Sequence, residues 1–466
     1  GLNAFHTQHA SAEAIHLRSP VGSTTPTTDP VVAEDGDLLL QDSYSYEEIK
    51  KKRESCHGSF LTYYREPLLL VKGKMQHVYD QAGRRYTDLW GGAATISVGH
   101  CHPEVVQAQI NQISSLLHTS PSYMNSENAL YAQELLENFP PGYKVYFLNS
   151  GSEATELALL LARAYTRNFD IIGLRGCYHG MTGTAMGLLG SHSWKHYFAQ
   201  GFGIHRAMNP NPYRSLVKED EAANFYANEV HEVIQTCTPG KIAGFFAESI
   251  QGVNGVTNFP PGYLKQVYEI VRQHGGVCMA DEVQTGFGRL GESFWGFEAH
   301  GVVPDIMTLA KSIGNGCPLA ALVAKKEIMD VLQTKLYFNT YGGNPFSCVT
   351  GRTVLKIMKR DKLQEHCANL GGYLKTHLQN LQERSAILGD VRGSGFLIGL
   401  EFVENKVTKV PAAEECLKIM EKLKDRKFLV GKGGLRGNVI RLAPPMCITK
   451  EDVDEFLNVF ENILFE

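Results

Sequence analysis

Residues 144–167, KVYFLNSGSEATELALLLARAYTR, hold three signals in one line: an apolar strand, a glycine turn and a helix. KVYFLNS (144–150) is short, aromatic and β-branched, as a strand requires. SEATELALLLARAYTR (152–167) repeats its apolar residues at helical spacing. Between them Ser150 and Glu153 form an S-x-x-E capping pattern. Outward from this unit, further strand candidates are DIIGLRG (170–176), IAGFFAES (242–249), GVCMAD (276–281), DIMTLAK (305–311) and PLAALVA (318–324). Several are continuous apolar runs, expected when helices cover both faces of a sheet. YLKQVYEIVRQHG (263–275) is a second helix with a glycine stop. The alternation predicts an α/β protein with a large, mostly parallel sheet.

Before this region, LLLVKG and HVYDQAGRRYTDLW within about 68–90 predict strands, with a hairpin turn at the Ala-Gly pair. After it, amphipathic helices surround DVRGSGFLIGLEFV (390–403), which predicts a smaller α+β domain. The division expected is an arm over 1–41, the first part of a small domain over 42–102, a large domain over 103–350 and the rest of the small domain over 351–466. The first 30 residues are rich in Ser, Thr, His and Pro. They read as an arm or as the remnant of an organelle-targeting segment.

The 466 residues carry a formal net charge of −4, so no broad basic footprint for nucleic acid is expected. No apolar run approaches the ~18 residues that span a bilayer, and no membrane association is expected. The ten cysteines contain no C-x-x-C pair, which fits a reducing compartment better than a disulfide framework.

Ligands of open parallel sheets gather beyond the carboxyl ends of the strands, and four features fall there. The helix start at Gly151 presents free amides and a positive dipole end that suit a phosphate, or it is simply a cap. Asp281 in CMADEVQTGFGR follows an apolar strand; it is a loop acid, or a carboxylate that holds a pyridine nitrogen protonated. Lys311 in DIMTLAKSIGNGCP ends an apolar strand. It is a snorkelling lysine, or an amine with a depressed pKa that attacks an aldehyde. Arg441 in NVIRLAPP is a surface ion-pair partner or a bidentate clamp for a carboxylate. Two patterns are set aside. GFGRLG (286–291) matches G-x-G-x-x-G, but the broken segment after it makes a poor dinucleotide-binding helix. GHCHP (99–103) is a poor tetrahedral metal set and reads as a turn before a helix, so no metal is expected.

Taken together and in order, GHCHP (99–103), NSGSEA (149–154), YHG (178–180), ESIQG (248–252), ADEVQTGFGR (280–289), AKSIGNGCP (310–318), TYGGNP (340–345) and VRGSG (391–395) resemble the class III, or ω-type, aminotransferases of pyridoxal-phosphate fold type I. The resemblance runs from about Leu68 to the C-terminus. Within the class, IAGFFAESIQGVNGV, RRYTDLWGG, TISVGHCHP and RLAPPMCITK look most like the mitochondrial alanine–glyoxylate type.

The resemblance implies a seven-stranded-type sheet flanked by helices, a small domain made from both chain ends, and pyridoxal 5′-phosphate as cofactor. Gly151 and Ser152 are then expected at the phosphate, Tyr178 and His179 at the ring, and Val283 on its opposite face. Asp281 pairs with the ring nitrogen, Gln284 reaches the phenolic oxygen, Glu248 supports the site, and Lys311 forms the Schiff base. Thr340 reaches the phosphate of a neighbouring subunit in a homodimer or homotetramer. Arg441 binds the substrate carboxylate, with Trp90 narrowing the pocket. Two departures stand out. Ser249 replaces a common Pro. Val253 replaces a Glu that in ornithine- and γ-aminobutyrate-type relatives pairs with the arginine matched to Arg441. The activity implied is transfer of an amino group from alanine or a small α- or β-amino acid to glyoxylate or pyruvate, in the mitochondrial matrix or otherwise the cytoplasm. A lyase or aminomutase of the same fold, a dehydrogenase and a non-catalytic relative are the competing readings.

Overall fold

In the computed structural model, which describes residues 44–58, 62–197 and 201–466, the sheet expected from the apolar runs is present. Its strands are β1 (Tyr143–Leu148), β2 (Ile171–Leu174), β3 (Ile204–Ala207), β4 (Gly244–Glu248), β5 (Val277–Asp281), β6 (Ile306–Leu309) and β7 (Ala320–Lys325), in the spatial order β1-β7-β6-β5-β4-β2-β3. The neighbours from β3 to β6 pair in parallel, and β7 runs antiparallel to both β1 and β6. Six strands therefore share one direction. Strand β3, IHRA, mixes charged and apolar residues and had no apolar run to announce it.

Helix Gly151–Thr166 shows how sequence places the site. Its buried face, Ala154, Leu157, Ala158, Leu161 and Ala162, follows the 3.6-residue period. These residues share a core with Phe246, Met279, Ile306 and Leu322 of four sheet strands. Each fully buried leucine contributes about 2 kcal/mol relative to exposure. The capping box is formed: Ser150 Oγ accepts from Glu153 N at 3.3 Å, and Glu153 Oε2 accepts from Ser150 N at 2.9 Å. Asn149 N also donates to Glu153 Oε2, at 2.8 Å. The helix start is thus fixed just beyond the carboxyl end of β1.

Two four-stranded sheets accompany the large one. The first contains Leu70–Lys74, His77–Asp80 and Arg85–Asp88, with the hairpin turn at Ala82-Gly83 as expected, and is completed by Phe428–Leu429 running parallel to Arg85–Asp88. One sheet is therefore built from paired residues 341 apart in the chain, Phe428 with Thr87 and Leu429 with Asp88. The second joins Leu388–Ser394, Leu397–Phe402, Val439–Leu442 and Gly431–Gly433, all antiparallel neighbours. GHCHP is a turn into helix Pro103–Ser115, with His102 at its N-cap. GFGRLG starts no helix. The arm expected over 1–41 lies outside the described residues. No described helix is long and apolar enough to cross a membrane.

Ser150→Ala should lower stability by about 1 kcal/mol, the usual loss for a side-chain cap. Urea unfolding is the check, and Ser150→Asn, which can still cap, should restore most of the loss.

Candidate active site

Three adjacent strands end in the chemistry. Glu248 closes β4, Asp281 closes β5 directly opposite it, and Asp281 in turn faces Thr308 on β6. Lys311 follows β6 with only Ala310 between them. Burial on both sides of the sheet leaves these side chains no exit except the cleft beyond the strand ends.

Lys311 has φ +52°, a left-handed conformation that costs a non-glycine residue about 1–2 kcal/mol. The surrounding bonds enforce it. Ser97 Oγ donates to Ser312 O at 2.9 Å, and Ser312 Oγ to Ala94 O at 3.3 Å. Asn315 Oδ1 accepts from Ser97 N and Val98 N at 2.8 and 3.0 Å, while its amide donates to Gly99 O at 2.9 Å. The turn is thus tied to the segment that follows Trp90. Burial, and after it Arg441, lower the Lys311 pKa to about 8 against the opposing pull of Asp281 and Glu248. Its amine is readily available uncharged near neutrality.

Asp281 Oδ2 lies 2.6 Å from His179 Nδ1, and its Oδ1 accepts from Val283 N at 3.0 Å. The imidazole stacks on Phe246 at 4.3 Å between centroids, and its Nε2 is buried without a partner. Burial opposes a charge on His179, but neighbouring Cys177 and Asp281 outweigh it and hold its pKa well above the usual value. Glu248 accepts from Gly252 N at 2.7 Å and Tyr178 N at 3.1 Å. Burial raises its pKa to about 7, His179 acting the other way.

The helix start meets this group. A Cβ on Gly151 would lie 3.3 Å from a Val283 methyl and 3.6 Å from Ala310 Cβ, so the helix start, Val283 and the residue before Lys311 are in contact. Gly180, at φ +111°, approaches so closely that a Cβ there would lie 2.3 Å from Ser152 Oγ. Ser152 Oγ also accepts from Met181 N at 3.3 Å.

At the outer end, the Arg441 guanidinium lies 4.2 Å from the Trp90 ring. Its Nε donates to Lys432 O at 3.3 Å and its Nη1 to Gln284 Oε1 at 3.4 Å. Arg441 forms no salt bridge to a carboxylate among the described residues. Trp90 is placed by Asp88, whose Oδ1 accepts from Trp90 N and Gly91 N, both at 2.9 Å. Gln284, expected at the phenolic oxygen, therefore stands beside the arginine expected to bind substrate.

Lys311, Asp281, His179, Glu248, Val283, Gln284, Gly151, Ser152, Tyr178, Arg441 and Trp90 thus form one connected neighbourhood. Thr340 is not part of it. It sits on an exposed loop, next to Asn339, which bonds to Asn149 and Glu153 at the helix cap. Sequence reading missed three aromatic or thiol neighbours. Tyr63 lies against Arg441 and edge-on to Trp90 at 6.1 Å. Trp194 stands edge-on to Tyr178 at 5.2 Å. Cys177 adjoins His179. The only signal for Tyr63 was the tyrosine pair in TYYREP, upstream of the matched motifs.

The donor set fits pyridoxal phosphate: an amine for its aldehyde, a carboxylate for its ring nitrogen, and two helix-start amides, of Gly151 and Ser152, for its phosphate. Residues 62–464 match the model of the family "Aminotransferase class-III", and the chain belongs to that family. It is a pyridoxal-phosphate-dependent aminotransferase, acting on amino and oxo acids. It is 47% identical over 444 residues to alanine–glyoxylate aminotransferase 2 homolog 2, mitochondrial, of Arabidopsis thaliana, covering 95% of this chain and 90% of the relative. It is 43% identical over 425 residues to the mitochondrial alanine–glyoxylate aminotransferase 2 of Homo sapiens, covering 86% and 83%. Among solved structures, it is similar to an aminotransferase of Bacillus anthracis (TM-score 0.85, 28% identity, 90% of this chain and 98% of that one). It is also similar to a phospholyase from Arthrobacter in complex with phosphoethanolamine (TM-score 0.84, 30% identity, 90% and 99%).

Two outcomes follow. Because Lys311 loses its proton near pH 8, cofactor-free protein should take up pyridoxal phosphate about tenfold faster per pH unit below 8 and level off above it. Arg441→Gln removes a nearby cation and should move that inflection upward; stopped-flow absorbance reads both. The second concerns Ser249, whose hydroxyl donates to Glu282 Oε1 at 2.5 Å. Burial raises the Glu282 pKa to about 7, with this bond among those opposing the rise. Since the folded value lies above the unfolded one, Glu282 costs stability as pH climbs from the ordinary carboxylate range to about 7. Ser249→Ala should add about 1–3 kcal/mol of loss, largest above pH 7 where the acid is ionised. Urea titrations at pH 5 and 8 check the sign.

Proposed function

We propose that the chain moves an amino group from alanine, or another small α- or β-amino acid, to glyoxylate or pyruvate. The observation that carries this reading is Arg441: a buried guanidinium on the face of Trp90, close to Lys311, with no salt bridge to any acid among the described residues. A buried cation without an acid partner is costly, and a substrate carboxylate supplies what is missing. Val253 stands where some relatives have the competing Glu, and its carbonyl instead accepts from Gly434 N at 3.0 Å. A carboxylate bound at Arg441 places the reacting amine near its own α or β carbon. The alanine–glyoxylate names of the relatives agree with this choice.

Pyridoxal phosphate, when bound, supplies an aldehyde that captures the amine and a ring that accepts electrons from the substrate carbon. The protein does the rest. Asp281 would pair with the ring nitrogen, held in place by His179 and Val283 N. Lys311 Nζ, with a pKa near 8, takes the substrate Cα proton and returns it one position away. Arg441 orients the carboxylate, and Trp90, Tyr63 and Tyr178 wall the cleft against water. Gly151 and Ser152 bind the phosphate, Val283 packs on the ring, and Gln284 bonds at the edge between cofactor and Arg441. Glu248 fixes the Tyr178 backbone.

The reading extends to assembly. Tyr123, Met124, Leu336, Phe338 and Tyr341 are exposed, and Gly343 O receives bonds from Asn125 and Asn128, so the two apolar loops form one surface. A homodimer burying this surface brings Thr340 to the neighbouring subunit's phosphate. The same reading divides the chain into domains at 103 and 351 and places it in the mitochondrial matrix; the relatives' names say mitochondrial.

A panel of amino donors against glyoxylate and pyruvate tests the assignment. Alanine with glyoxylate should show ping-pong kinetics, Lys311→Ala should lose turnover, and Val253→Glu should raise KM for alanine tenfold or more. Release of ammonia or phosphate from the donor, without amine transfer, would establish a lyase instead.

A further inference from the structure

A second cleft lies outside the chemistry described above. It encloses about 490 Å³ between the carboxyl ends of β2 and β3 and the turn that joins strands Gly431–Gly433 and Val439–Leu442. Three arginines line it, Arg175, Arg214 and Arg436, against one acid, Glu401. That acid is already used. Glu401 Oε1 accepts from Arg214 Nε and Nη2 at 2.8 and 2.6 Å, and its Oε2 accepts from Arg392 at 2.6 Å. Arg175 and Arg436 form no ion pair or side-chain hydrogen bond among the described residues.

The remaining lining is polar. Asn209 and Asn254 crowd Gly176, whose Cβ would lie 2.6 Å from Asn254 Nδ2 and 3.0 Å from Asn209 Nδ2. Asn209 Oδ1, an acceptor, is buried without a partner among the described residues, and its amide Nδ2 is the group that could donate to an anion. The floor is rigid: Arg175 N donates to Ala207 O at 2.9 Å, and Gln251 Nε2 donates to Arg175 O at 3.0 Å. Arg175, whose charge also acts on the half-buried Glu229, and Arg436 stand without an ion pair among the described residues, and two such guanidiniums suit a compact anion carrying two charges.

The cleft also shares parts with the substrate end of the active site. Its Asn254 adjoins Val253, whose carbonyl holds Gly434 N at 3.0 Å. Arg436 rides on that same turn, and the strand leaving the turn carries Arg441. The strand entering it supplies Lys432 O, which accepts from Arg441 Nε. An anion drawn between Arg175 and Arg436 would fix the turn against the large sheet, and with it the carboxylate clamp.

We propose that this cleft binds a small dianion, a phosphate ester or a dicarboxylate, between Arg175 and Arg436, and that its occupancy tightens substrate binding at Arg441. The binding half stands on the cleft alone; the coupling half rests on the amino-transfer reading.

The test uses holoenzyme, titrated by calorimetry with inorganic phosphate and, separately, with succinate. Saturable binding of at least one is expected, weakened about tenfold by Arg175→Gln or Arg436→Gln and lost in the double variant. Which titrant binds distinguishes the two sources of the anion. Both arginines are exposed, and equal unfolding midpoints without anion will show that the variants fold. The anion should lower KM for the amino donor at unchanged kcat in the wild type and leave the double variant unaffected. No saturable binding by either anion overturns the site. So does binding that the double variant retains, or that removes the cofactor absorbance, since both place the anion elsewhere. Binding with an unmoved KM overturns the coupling.

Discussion

Two acids side by side govern this structure. Glu248 and Asp281 end neighbouring parallel strands in direct register, both buried, where two negative charges repel and neither is solvated. The cost of leaving them so is several kcal/mol, and the fold meets it unequally. Asp281 meets His179 at 2.6 Å and accepts from a backbone amide. Glu248 receives backbone amides alone, and burial lifts it to about 7. The two carboxylates thereby receive different partners, a histidine beside one and backbone amides alone at the other. Lys311 answers from the next strand. Its pKa is low because burial and Arg441 outweigh both acids, so the amine that must attack an aldehyde is kept from becoming a locked ammonium.

That balance depends on backbone held in costly shapes. Gly91, Gly92, Ala93 and Ala94 are consecutive left-handed residues, and Lys311 is another. For Gly91 the reason is contact: a Cβ would lie 2.7 Å from Ala443 O. Such strain persists only where neighbours over-determine it. Ser97, Ser312 and Asn315 do this by lacing the Trp90 segment to the Lys311 turn. Arg289, wholly buried, adds a further tie by donating to Pro444 O at 2.8 Å and Ile96 O at 3.2 Å. The arginine of GFGRLG thus has a use unrelated to any dinucleotide: it joins segments from both chain ends to the large sheet.

How much of this was legible depended on how local each feature is. The ends of β4, β5 and β6 were readable because a charged residue closing an apolar run is a local pattern, and the cap at Ser150 is local as well. Strand β3 was not, because IHRA borrows its apolar environment from β2. Trp194 matters through its contact with Tyr178, formed only after the 178–195 segment folds back on itself, which no period in the sequence encodes. Tyr63 meets Arg441 across nearly the whole chain. The Ser249 departure was noticed, but its partner Glu282 was invisible: pairing them requires β4 and β5 to lie side by side. Thr340 shows the opposite limit. Its role was inferred from resemblance, and a single subunit leaves it on an exposed loop.

The division of labour follows from the topology. The groups proposed to make and break bonds stand at strand ends of the large sheet, where parallel pairing fixes them relative to one another. Those proposed to select the substrate come from the chain ends: Trp90 from before the sheet, Arg441 from after it. They meet because Phe428–Leu429 pairs beside Arg85–Asp88, and the chain reaches Gly431 two residues later. Any side chain at Gly431 would collide with Trp90, a Cβ lying 2.4 Å from its ring. The indole is thus fixed by the strand that runs beside Arg441, and the clamp by the indole. Selectivity in such an arrangement can change through small movements of the outer sheets, while the charge balance at Asp281 and Lys311 stays with the parallel strands that set it.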